Sequence, residues 1–237
     1  MWAALGWGAL AASSLVIGTW LAFVRSWSQA LIGTILAFGA GALISAVSLE
    51  LVEEGLRLGS GGAVATGLAL GALTYFTADR ALARRDTTAP GKGGGGSGTS
   101  LALGSFLDGV PEQAVLGIGL AGGQPVSVAL LVAIFVSNLP EGIGSGVDME
   151  AAGVPRKRIF RLFLAVGFVC TLSSGLGFAI ADSVSGDFQA GIEGFAAGAL
   201  LVMLIDSMIP ESKEKAGRNA GLVAVVGFAV ATALSTL

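Results

Sequence analysis

Asp108-Gly109-Val110-Pro111-Glu112 and, beginning 29 residues later, Ser137-Asn138-Leu139-Pro140-Glu141-Gly142 decide how this chain is read. Each is a proline followed directly by a glutamate, and each lies inside a long apolar stretch. An ionisable group at membrane depth is costly and marks a functional site by default. The proline lacks an N–H, so the carbonyls four residues back, at Leu107 and Val136, lose their usual helical partners. Asp108 and Glu112 are spaced i, i+4, and Asn138 and Glu141 i, i+3, so each set shares a helix face. Ser137 lies i, i+4 from Glu141. If the two faces meet, three carboxylates, an amide oxygen and a hydroxyl converge, and no Lys or Arg lies inside either span to neutralise them. Carboxylates gathered in this way repel one another unless a cation or protons join them.

The rest of the chain places these motifs in a bilayer. It is 54% hydrophobic and only 12% charged, with a mean hydropathy of +0.82, the composition of an all-α polytopic membrane protein. Apolar segments near 2–24, 31–54, 63–79, 101–121, 126–147, 160–182, 188–208 and 220–237 predict eight transmembrane helices in a single domain over 1–237, with an inside loop over 80–100. The first segment has no basic residues before it and reads as a retained span. With the N-terminus outside, 12 of the 13 Lys and Arg fall in inside connections, and only Arg57 falls outside. That asymmetry fits eight spans with both termini on the outer side of the inner or plasma membrane.

Several function classes are excluded. The chain has no histidine and one cysteine, Cys170. His-dependent hydrolase chemistry and Cys-based metal sites are therefore absent, and the chain reads as a non-enzyme. No ATP-binding motif is present. Net charge is −3, which gives no reason to expect a nucleic-acid partner. The loop stretch Gly93–Gly98 is a flexible Gly/Ser linker, of native or engineered origin. Cys170 reads as packing.

Weaker features surround the centre. Glu50, Glu53 and Glu54 end the second span on the outside and are candidates to collect cations at an entrance. Asp206 and Glu211 end the seventh on the inside and are candidate exit ligands. Phe38-Gly39-Ala40-Gly41-Ala42-Leu43 and Phe195-Ala196-Ala197-Gly198-Ala199-Leu200 are offset by 157 residues, as are Glu54 and Glu211. The two spans cross in opposite directions, so this is the pattern of an inverted repeat. The pairs Gly67/Gly71 and Gly194/Gly198 permit close helix contact, within one chain or between two.

With these motifs in view, the chain resembles the ZIP (Zrt-, Irt-like) divalent-metal transporters. Their fourth span usually carries His-Asn-x-Pro-Glu-Gly and their fifth a related polar-polar-x-Pro-Glu-Gly. By position, Asp108 stands for the His, Gly109 for the Asn, and Glu112 keeps the Glu. Ser137 takes the first polar position of span five, and Asn138 and Glu141 keep theirs. This is a histidine-free variant of a bacterial cast. The resemblance implies a 3+2+3 helix arrangement, a probable homodimer in the lipid bilayer, and a metal site of Asp108, Glu112, Ser137, Asn138 and Glu141. The cargo it implies is zinc, with no organic cofactor. An all-oxygen site adds Mn²⁺, Fe²⁺ or Cd²⁺ as candidates. The loss of Asn at Gly109, and of an acid in span six, favours one metal per site. The alternatives are a proton-coupled carrier of another solute and a metal-binding homologue that does not transport.

Overall fold

A computed structural model describes the backbone of residues 1–87, 98–121, 125–181, 184 and 186–235. Side chains of 82, 83, 85–87, 98–104, 107 and 108 lie outside the described residues. Among those described there are helices and no strands. Helix α1 is Trp2–Val24 and α2 is Gln29–Leu58, with a π-helical segment at Val47–Val52. Helix α3 is Gly61–Thr87, α4 Gly98–Gly119, α5 Val128–Ala151 and α6 Arg156–Ala181. Helix α7 covers 186–216 as Gly186–Met203, a π-helical Leu204–Met208 and Ile209–Ala216, and α8 is Ala220–Leu234.

Six helical runs among the described residues are long and apolar enough to cross a membrane, the last of them spanning both α7 and α8. The chain is thus a multi-pass membrane protein. Large apolar side chains such as Leu73, Phe168, Leu176, Leu222 and Val225 stay exposed on the outside of the bundle, where lipid replaces water.

The helices overrun the apolar spans. Arg156–Arg161, Lys213 and Lys215 are helical, although hydropathy alone puts them in connections. Lys, Arg and Glu are good helix formers, so a hydrogen-bonded helix continues past the edge of its apolar stretch. Likewise α3 runs on to Thr87 and α4 starts at Gly98. Most of the Gly93–Gly98 stretch lies outside the described residues. Starts and stops follow local chemistry. Ser28 and Ser127 cap α2 and α5 by accepting from the N–H groups of Leu31 and Leu130. Gly153 and Gly217, with φ of 79° and 65°, make the turns after α5 and α7 in a backbone region that costs other residues.

Packing is organised by backbone contact at glycines. Helix α3 lies along α7, and α8 along α2. A Cβ at Gly71 would overlap the Phe195 carbonyl, and one at Gly198 the Leu68 carbonyl. Similarly, Gly227 abuts the Phe38 carbonyl and Gly41 the Ala224 carbonyl. Both GxxxG pairs named above therefore meet within the chain. Helix α1 packs on α5 and α6, and α6 on α4. Ser45 and Thr232 hydrogen-bond between α2 and α8 at 2.9 Å. The main apolar core runs between α2, α5 and α7, through Leu36, Leu43, Ile134, Ile143, Leu200 and Leu204.

Candidate metal centre

Helices α4 and α5 bring their glutamate motifs face to face. Pro111 and Pro140 both sit inside continuous helices. Glu112 is 1% exposed, and Asn138 Nδ2 donates to its Oε2 at 2.9 Å. The Ser137 hydroxyl lies 3.4 Å from Glu112 Oε1, a weak bond, and also donates to the Ile134 carbonyl at 3.0 Å. Asn138 Oδ1 is buried and has no hydrogen-bond partner among the described residues. A buried acceptor left in this state is rare, and it asks for a water or an ion.

Neighbouring residues fix Glu112 in place. Gln113, fully buried, has its amide within 3.2 Å of both the Gly8 carbonyl and the Ala12 N–H of α1, and the amide orientation that pairs with both is the one assigned to it. From α6, Ser173 donates to the Val110 carbonyl and Ser174 to the Ala4 carbonyl, each at 2.9 Å. On the α5 side, Gly142 and Gly18 let α1 and α5 approach backbone to backbone beside Glu141.

A cavity of about 30 Å³, the room of a water-sized occupant, is lined by Glu112, Ser137, Glu141 and Glu211 with Leu36, Met203, Ser207 and Met208. Four of the predicted site residues thus share one cavity or its wall. Asn138 adjoins it through Glu112. The Asp108 side chain falls outside the described residues. Among the described residues, no three Asp, Glu or Cys side chains stand close enough together to hold one ion.

The other expected residues divide. Glu211, an exit candidate, lines the central cavity, whereas Asp206 is exposed and borders a separate apolar groove with Ala72, Leu73, Phe76, Val202 and Ile205. Glu50, Glu53 and Glu54 do not line the central cavity. Glu53 and Glu54 lie 2.6 Å and 3.7 Å from Arg57, on the exposed end of α2.

Three side chains escaped the sequence reading. Ser207 lines the cavity. Lys215 holds Glu211 at 2.6 Å, and the i, i+4 spacing of the two was the signal for it. Glu193 is 2% exposed on α7 and its Oε2 has no partner among the described residues. It is flanked by glycine and isoleucine rather than marked by a proline.

Gly109 has no room for a side chain. A Cβ there would come within 2.7 Å of Cys170 Sγ, which is fully buried. The place of a side chain on α4 is filled by a thiol from α6. Gly109→Ala is therefore expected to destabilise the fold by about 1–3 kcal/mol. Adding Cys170→Gly should restore most of the loss, read as thermal unfolding in detergent.

No family model matches the chain. A stretch of 204 residues, 84% of the chain, is 30% identical to a protein of Arabidopsis thaliana named "putative zinc transporter", and the chain spans 33% of the length of that relative. The similarity covers most of this helical bundle and about a third of the plant protein.

Proposed function

We propose that this chain is a divalent-metal permease of the ZIP type, with zinc as the favoured cargo and Mn²⁺, Fe²⁺ or Cd²⁺ as further candidates. The observation that carries the reading is the meeting of Glu112, Ser137 and Glu141 on one cavity lined from α2, α4, α5 and α7, with an unanswered Asn138 oxygen beside it. Carboxylate, hydroxyl and amide oxygens are the donors a partly dehydrated divalent cation takes. Asp108 would add a third carboxylate from the α4 motif. The relation to a plant protein named for zinc transport supports the choice of cargo.

The proposed architecture is a 3+2+3 inverted repeat of eight spans. Exchanging α1 with α6, α2 with α7, α3 with α8 and α4 with α5 maps each packed pair onto another packed pair. The π segments support it too. They begin at Val47 and Leu204, 157 residues apart, which is the offset of the sequence repeat. The cell membrane as location, outer termini and a homodimer belong to the same proposal; the one-sided distribution of Lys and Arg supports the orientation of the termini.

Cation uptake into proteoliposomes tests the reading. Wild-type protein should carry at least one of Zn²⁺, Mn²⁺, Fe²⁺ and Cd²⁺, and Glu141→Ala should reduce that flux to the level of empty vesicles. Folded wild-type protein that moves none of the four overturns it. Proton-coupled carriage of another solute is the second reading, and the buried Glu193 carboxyl on α7 favours it. Solute flux that follows a pH gradient without metal would distinguish it.

A further inference from the structure

We infer that the Lys215 ammonium is a tethered counter-ion of the carboxylate cavity, and that an arriving divalent cation must displace it from Glu211. The inference rests on the reading of that cavity as a cation site. Lys215 lies one helical turn beyond Glu211 on α7, toward the basic end that carries Lys213 and Arg218. Its Nζ donates to Glu211 Oε1 at 2.6 Å. An i, i+4 pair on a solvated helix end means little, and Lys213, Glu214 and Arg218 nearby are exposed, but this lysine is folded against the bundle. Its side chain is only 18% exposed. Helix α2 closes on its stem at Gly33, where a Cβ would come within 2.5 Å of Lys215 Cβ. Helix α5 closes on its tip at Gly144, where a Cβ would lie 3.6 Å from Nζ and 4.0 Å from Glu211 Oε1. Gly144 is three residues after Glu141, on the same face.

The lysine stem is therefore held against α2 and its ammonium against α5, beside the Glu211 that lines the cavity. Glu211 lines the cavity together with Glu112 and Glu141, yet it is 44% exposed and engaged by Lys215. This accounts for a cavity that has three glutamates in its wall without bringing three to one point. A divalent ion attracts Glu211 more strongly than a monovalent ammonium at equal distance. Once Glu211 turns to the ion, Lys215 loses its partner and can extend toward the aqueous phase, as long basic side chains do at helix ends. When the ion leaves, the lysine returns, so the outgoing metal does not leave an uncompensated carboxylate behind.

Isothermal titration of the full-length protein in detergent with Zn²⁺, and separately with Cd²⁺, tests this. Lys215→Met keeps the length of the stem and removes the charge, and it should bind metal about tenfold more tightly than wild type. Lys215→Arg keeps the charge and should bind within about twofold of wild type. In Glu211→Gln the effect of Lys215→Met should vanish, because the competition is for that carboxylate. Lys215→Met binding no tighter than wild type overturns the inference; if Glu141→Ala also loses binding, the metal-site reading survives. Absence of binding in both wild type and Lys215→Met, with each shown to be folded by its unfolding curve, overturns both. Tighter binding that persists in the Glu211→Gln background also overturns it, since the lysine would then act by general charge alone.

Discussion

On the proposed permease reading, Glu112→Gln is expected to reduce metal uptake by at least about 100-fold while leaving the protein folded. Glutamine has the shape of the carboxylate and none of its charge. The Asn138 amide, which now donates to Glu112 Oε2 at 2.9 Å, would keep an acceptor if the new amide oxygen takes that position. The Ser137 hydroxyl can rotate fully to the Ile134 carbonyl, which it already meets at 3.0 Å. The hydrogen bonds therefore survive and the charge does not. Burying an amide costs less than burying a carboxylate without a cation, so thermal stability without metal should be equal or higher. Loss of even an outer partner of a metal ligand typically costs 10–100-fold, and a directly ligating carboxylate should cost at least the upper figure. Uptake by proteoliposomes, with unfolding temperature measured on the same preparation, checks both halves. Flux within twofold of wild type would remove Glu112 from the transport site.

The largest stability effect is expected from one methyl group on α3. Gly71→Ala places a Cβ on the Phe195 carbonyl of α7, with the carbonyl carbon and Cα behind it. None of those atoms belongs to a flexible side chain, so α3 and α7 must move apart along their length. Such overpacking costs about 1–3 kcal/mol even where side chains can yield, and here the backbone must yield. Unfolding in detergent should shift down by roughly 2–4 °C per kcal/mol for a chain of this size. Gly62, on the same helix, has nothing within 4 Å of its added Cβ. Gly62→Ala should leave the midpoint within the range of an ordinary surface change, about 0.5 kcal/mol either way. Equal shifts for the two would show that α3 does not depend on close approach at Gly71.

Much of the bundle is legible in the sequence because one physical rule dominates it. Backbone groups in lipid must be satisfied inside their own segment, so long apolar runs become helices. The run expected over 2–24 is helix α1 residue for residue. Glu112, Ser137, Asn138 and Glu141 were visible for a related reason, since a polar residue among apolar ones stands out. What was not legible depends on facing. Asp206 and Glu211 are equally acidic and only five residues apart, yet one borders an outer groove and the other the central cavity. Asp206 lies within the π segment Leu204–Met208 and Glu211 just beyond it, and that departure from α geometry has no signature in residue type. Lys215 was misplaced for the opposite reason. Hydropathy ends a span at its first charges, while the helix itself continues and carries the lysine back against the bundle.

The two π segments also determine where this chain can change length. A π turn holds one residue more than an α turn and is often found at functional sites. In an unbroken α-helix, deleting one residue turns everything beyond it by about 100° and draws it back by about 1.5 Å, whereas a π turn such as Leu204–Met208 can give up its extra residue by tightening to an α turn. Glu211 on the cavity wall and Lys215 beyond it would keep their facing if Leu204–Met208 lost one residue, and would lose it if Ile209–Ala216 did. The same holds for Glu53 through Arg57 after Val47–Val52 at the other end of the bundle. Length is usually free to vary in loops and held constant in helices by packing. In this chain the helices can give up a residue at two particular turns, so alignments of related chains should show gaps in the connections and, within helices, only across these eleven residues.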